Sequence, residues 1–212
     1  MTALDRKFKT EKLLKSLGVP ILEQLPLIDE EHEVKLRTAQ EVARRILILD
    51  YLNYVVDEPD SKQEVIDFLK EQNLHKSISD KEKQFFKYEL TEQDRINISW
   101  QSEAMLTLLW AIGKVDKLEM PVEETQVSEW LSLLPDLMTD PKEFIDAALL
   151  RPIPEILDLL DLTYRMHWAV RNAELNNLDA LNFDAGIIQE RHYALNWLTY
   201  YNDDWDDVVT DT

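Results

Sequence analysis

The sequence predicts an all-α protein: one single-domain multi-helix bundle over residues 1–212, with an extended N-terminal arm from about Gly18 to Asp29 that could hold one short edge strand. Three observations carry this. Apolar residues recur at a helical period along nearly the whole chain. Only three glycines occur in 212 residues, Gly18, Gly113 and Gly186, and each falls at the edge of a periodic segment. Helix-start signals, a hydroxyl residue with an acid three positions later, appear at Ser61–Glu64, Ser79–Glu82 and Thr91–Asp94.

Taken in order, a first helix runs to about Leu17, where Gly18 and Pro20 stop it. The stretch "GVPILEQLPLID" has two prolines and alternating apolar positions, hence the arm. Residues 1–30 are therefore helix plus arm, and 31–212 the helical core. A long helix is expected from about Glu33 to Asp57. The three capping boxes follow, and the third opens a helix ending at Ile112 before Gly113. A short helix after Pro121 carries Trp130. Asp140 caps the next, with Pro141 at its first position. The last two run from Pro154 to about Asn176 and from about Asp184 to Tyr201.

Composition excludes several function classes. Lysine and arginine number 23 against 42 aspartates and glutamates, a net charge of -19 that repels phosphate backbones, so no nucleic-acid partner is expected. Without cysteine there is no disulfide, thiolate nucleophile or cysteine-ligated metal. No glycine-rich phosphate loop, dinucleotide fingerprint or G-x-S-x-G elbow occurs. The richest apolar run, "AMLTLLWAIG", is too short to span a bilayer, and the N-terminus lacks the apolar core of a signal peptide. The expectation is a cytoplasmic protein with no membrane partner.

Charges fall where helix packing calls for leucine. On the second helix Glu41 and Arg45 share the stripe of Ile48, Leu49, Leu52 and Val56. Glu103 lies between Trp100 and Trp110 on a helix apolar nearly all round. Asp161 and Arg165 sit four residues apart beside Trp168, with His167 on another face. Arg191 falls amid Ile187, Ile188, Ala194 and Leu195, with Glu190 at the edge. An unpaired buried charge costs several kcal/mol, so these groups must meet one another, water or a ligand. The closing "NWLTYYNDDWDDVVTDT" suggests partners. Trp205 and Val208 would dock this tail, and its aspartates, Asp206 and Asp211 among them, would pair with Arg45, Arg165 or Arg191. The candidate ligand-binding cluster is thus Glu41, Arg45, Trp100, Glu103, Arg165, His167, Trp168, Glu190, Arg191, Asp206 and Asp211.

Metal motifs fit poorly, and no cofactor is expected. Asn202, Asp204 and Asp206 match the first, third and fifth positions of a calcium loop, but Asp207 stands where glycine is required. For a carboxylate-bridged pair of metals, "DEEH" (Asp29 to His32) falls in a loop and "QERH" (Gln189 to His192) has glutamine for glutamate. His167 with Glu190 would make an acid–base pair. His32, His75 and His192 read as exposed.

The stretches "LRTAQEVARRILIL", "SWQSEAMLTLLWAIGKVDKLEMP", "DLTYRMHWAVRNA" and "ERHYALNWLTYYNDDWDDVVTDT" together resemble a bacterial family catalogued as a domain of unknown function, DUF 4272. They include Arg37, Glu41, Arg45, Glu103, Arg165, His167, Glu190 and Arg191. One departure is Gln101, where the family pattern reads arginine after the tryptophan. The resemblance brings no activity with it. Three functions remain in view. One is a binding or interaction module whose internal cluster is structural or holds a small polar ligand. The second is an acidic, immunity-like protein that neutralises a basic protein partner. The third is an acid–base enzyme built on His167 and a carboxylate. The balance leans away from catalysis, and the oligomeric state stays open.

Overall fold

Side chains that accept the first free amides set most helix starts in this chain. The computed structural model describes residues 1–125, 129–179 and 181–212. Among them eight α-helices form: α1 (Ala3–Ser16), α2 (Ala39–Asp57), α3 (Lys62–Glu71), α4 (Asp80–Lys87), α5 (Glu92–Ala111), α6 (Lys142–Asp146), α7 (Ile153–Leu175) and α8 (Ala185–Leu198). Reciprocal capping boxes open α1 (Thr2 with Asp5), α2 (Thr38 with Glu41), α4 (Ser79 with Glu82) and α5 (Thr91 with Asp94), while Asp184 caps α8.

Four boundaries differ from expectation. α2 begins at Ala39 rather than near Glu33, because Thr38 is its extended N-cap. Ser61 caps nothing: a 3-10 turn over Pro59–Ser61 runs directly into α3, and the Ser61 hydroxyl donates backwards to the Glu58 carbonyl at 2.7 Å. Pro141, not Asp140, is the N-cap of α6, although the Asp140 carboxylate accepts from the Lys142 amide at 2.9 Å. α8 stops at Leu198, and Tyr200 just beyond it has a left-handed φ of 56°. The short helix expected around Trp130 is a 3-10 turn, Leu131–Leu133, and residues 126–128 of that expectation lie outside the described residues.

No strand forms among the described residues, so the arm is not an edge strand. Its carbonyls are met by side-chain cations instead of by a neighbouring strand. Lys7 Nζ donates to the carbonyls of Glu23 (2.5 Å) and Leu25 (2.9 Å), and Arg165 Nη2 to that of Pro26 (3.2 Å). The arm is thereby strapped across α1 and α7.

The main core lies between α2, α5 and α8, filled by residues such as Ile46, Leu49, Leu52, Leu108, Leu109 and Leu195. α7 packs on α8, and α1 on α7, around a second cluster of Leu14, Val19, Met166, Val170 and Ile188. Gly186, in the first turn of α8, lets Trp100 of α5 lie on the backbone: a Cβ there would come within 2.7 Å of the indole ring. Gly18 and Gly113 end α1 and α5 at φ of 73° and 72°, where a side chain would be strained.

Arginines from outside finish the other ends. Arg37 donates to the Trp197 carbonyl at 2.7 Å, and its amide to that of Leu198 at 3.0 Å, at the end of α8. Arg95 bonds the Val56 carbonyl of α2 at 2.8 Å. Arg151 bonds the Trp110 carbonyl of α5 at 2.7 Å. Each cation meets a helix C-terminus, where free carbonyls and the helix dipole favour positive charge. Arg37, Arg95 and Arg151 therefore act as caps supplied from other parts of the chain.

Candidate functional site

Arg45, Glu103, Asp161, Arg165 and Arg191 are buried and Glu41 and Glu190 half-buried, but these charges do not form one cluster. Arg165 and Asp161, 2% and 0% exposed as side chains, make a forked pair within α7, with Nε at 3.1 Å and Nη2 at 2.8 Å from Oδ1. Glu11 of α1 approaches the same guanidinium at 3.9 Å. Trp168 lies half-buried over the second core beside them. Nearby, fully buried Arg6 holds Asp158 at 2.9 Å and Glu31 at 3.0 Å. This group ties α1, the arm and α7 together.

A second group docks the tail. Arg45 pairs with Glu82 of α4 at 2.5 Å, donates to the Ser77 carbonyl, and stacks its guanidinium 4.8 Å over the ring of Trp205. Glu41 and Arg45, whose i,i+4 spacing on one stripe of the sequence predicts a pair, do not meet, because the Glu41 carboxylate is spent on the Thr38 cap at 2.8 Å. Trp205 is 3% exposed, edge-to-face with Tyr193 (4.9 Å) and Trp197 (5.3 Å). The tail is docked as its tryptophan suggested, but its aspartates pair with none of Arg45, Arg165 or Arg191 among the described residues. Asp206 instead takes the N-terminus of α4, accepting from Ser79 Oγ at 2.6 Å and the Lys81 amide at 2.8 Å. A helix start supplies free amides and positive dipole, and it suits a carboxylate as well as an arginine would.

A third group joins α5 and α8. Arg191 reaches Glu103 at 3.5 Å and donates to the Glu119 carbonyl at 2.6 Å, while the other Glu103 oxygen accepts from the Thr125 amide at 3.0 Å. Trp100 covers Gly186 beside them. Glu190 forms no ion pair or hydrogen bond with the described residues. Burial first, and then the Glu103 charge, push its carboxyl up from 4.5 to about 7. The folded chain therefore keeps a proton that the unfolded chain releases near pH 4.5, and stability falls as pH rises between those values. Glu190→Gln, which mimics the protonated acid, is expected to stabilise the fold by about 2 kcal/mol at pH 8 and to change little at pH 4. Urea unfolding at the two pH values checks this, and an equal gain at both would assign it to packing.

His167 finds no carboxylate. Its Nδ1 lies 3.0 Å from Nδ1 of His192, with the rings edge-to-face. His192, read as exposed from the sequence, is 3% exposed. Burial and the Arg171 charge push His167 down to about 4, and burial with His167 pushes His192 down to about 3. Both rings are then neutral near pH 7, and one Nδ1 donates to the other. The sequence reading missed the burial of His192, although its spacing from Ile188 and Leu195 was a signal for the apolar stripe of α8.

His192 also lines a cleft of about 590 Å³. The arm contributes Pro26, Leu27, Ile28 and Asp29, α7 contributes Leu157, Leu160 and Tyr164, and α8 contributes His192 and Asn196. Thr199, Tyr200, Tyr201, Asp211 and Thr212 line it from the segment after α8, and Val34 from the segment before α2. Of the residues marked on the sequence, Asp211 lines this cleft directly and His167 stands behind its wall. Glu41, Arg45, Trp100, Glu103, Arg165, Trp168, Glu190, Arg191 and Asp206 do not line it.

These features define an all-helical protein with buried ion pairs and, apart from them, a cleft lined by the arm, α7, α8 and the C-terminal segment. The chain belongs to the family described as Domain of unknown function (DUF4272), whose model matches residues 6–208. No curated protein and no solved structure matched the chain. No described helix is long and apolar enough to cross a membrane.

Proposed function

We propose that this protein is a small-molecule-binding module whose ligand occupies the cleft between the arm, α7, α8 and the segment after α8. The observation that carries this is His192: a buried ring in the cleft wall, its Nδ1 engaged by His167 and its Nε2 bonded to no described protein group. Buried polar groups normally find partners, so an unspent nitrogen at a cavity wall suits a ligand or water. The volume, about 590 Å³, falls in the range of small-molecule sites, and the wall sets an apolar side of Ile28, Leu157 and Leu160 against polar groups that could orient a ligand. The neutral histidine pair favours binding and orientation over acid–base work near pH 7.

A thermal-shift screen of a metabolite library tests the reading. Compounds that raise the melting point should lose that effect in Leu160→Trp, which fills the cleft from α7. Stabilisation that survives Leu160→Trp in a folded variant would place binding elsewhere and overturn the proposal.

A further inference from the structure

The cleft has a charge sign. Its lining contains two carboxylates, Asp29 and Asp211, and neither lysine nor arginine. The polar atoms left unspent on its buried side chains are chiefly acceptors. Asn196, 5% exposed, commits its Nδ2 to the Val209 carbonyl at 2.8 Å, and its Oδ1 has no described partner. Thr199 donates its hydroxyl to the Leu195 carbonyl at 2.9 Å, which leaves that oxygen free to accept. His192 accepts through Nε2 when its Nδ1–H is given to His167. One of the three tyrosines in this wall, Tyr200, already engages cations of the chain itself, with Lys35 and Arg37 4.3 and 4.2 Å from its ring centre.

From the sign and the acceptors we infer that the ligand class is an apolar organic amine, its ammonium among Asn196, His192 and Asp211 and its hydrocarbon body against Leu157 and Leu160. This rests on the cleft being a binding site. An anion would face the carboxylates of Asp29 and Asp211, while Lys35 and Arg37, the cations beside this wall, are already engaged with the Tyr200 ring. A neutral alcohol of the same shape fills the apolar wall but offers one donor where an ammonium offers three. The net charge of -19 adds a long-range field that concentrates cations near the surface.

The test is calorimetric titration of the full chain with a matched set: tryptamine, tryptophol and indole-3-propionate. Tryptamine should bind about tenfold more tightly than tryptophol, a difference of about 1.4 kcal/mol, and indole-3-propionate should not bind. Asp211→Asn, at an exposed position, should weaken tryptamine several-fold and leave tryptophol unchanged. Tryptophol or indole-3-propionate binding as tightly as tryptamine, with Leu160→Trp abolishing it, would overturn the amine class while keeping the cleft as a site. No binding by tryptamine overturns the inference too, and the wider screen then judges the cleft by itself.

Discussion

Trp205→Ala is expected to lower stability by about 3–5 kcal/mol, the usual cost of emptying a buried tryptophan site. The size follows from what the indole touches. Two aromatic edges and the Arg45 guanidinium close over it, and the Tyr193 hydroxyl donates to its carbonyl. Its removal unseats Asp206 from α4 and loosens the Asn196–Val209 bond beside the cleft. Asp206→Ala removes a cap-type interaction alone and should cost only about 1 kcal/mol. Urea unfolding of both variants separates anchor from cap. A loss under 1 kcal/mol for Trp205→Ala would mean that the tail rests on the bundle without supporting it.

Asp161→Ala should be comparably costly, about 3–5 kcal/mol, because it strands a guanidinium that is 2% exposed. Glu11 at 3.9 Å and the Pro26 carbonyl are then its remaining partners. Arg165 also straps the arm, so the same change should speed proteolysis between Val19 and Leu27. Replacing the pair together, Asp161→Leu with Arg165→Met, is expected to recover most of the loss, since a well-packed apolar pair often matches a buried ion pair. Equilibrium unfolding of the single and double variants decides the matter. If the double variant is as unstable as Asp161→Ala, the bond from Arg165 to the arm matters more than charge pairing.

What could be read from the sequence was local. The Thr91–Asp94 box and the Gly113 stop involve residues within one turn of each other, and both stand where the sequence places them. Ser61 had the right spelling, but a cap needs an extended backbone, and its φ and ψ of -77° and -9° continue a turn. The start of α2 was hidden because Thr38–Glu41 sits inside a stretch that keeps helical periodicity on both sides.

For the charged residues, helical geometry found burial but not partners. Arg45, Glu103, Asp161, Arg165 and Arg191 are all buried. Only the Asp161–Arg165 pair was named correctly, and of the pairs these five residues make it is the one confined to a single helix. Arg45 meets Glu82 and Arg191 meets Glu103, each from a separate element, and no spacing rule reaches that far. The cleft was illegible for the same reason. Pro26, Leu160, His192 and Asp211 lie far apart in the chain and meet only when the arm and the last segment fold over α7 and α8.

The cleft is tested most directly by amide proton–nitrogen spectra recorded while the best-stabilising compound of the screen is titrated into the protein. A site in the cleft predicts shifts concentrated on Leu157, Leu160, Tyr164, His192, Asn196 and Asp211, and their absence in Leu160→Trp. Shifts gathered instead around Arg95, Trp100 and Glu124, which line a separate cavity beside α5, or unchanged by Leu160→Trp, would contradict it.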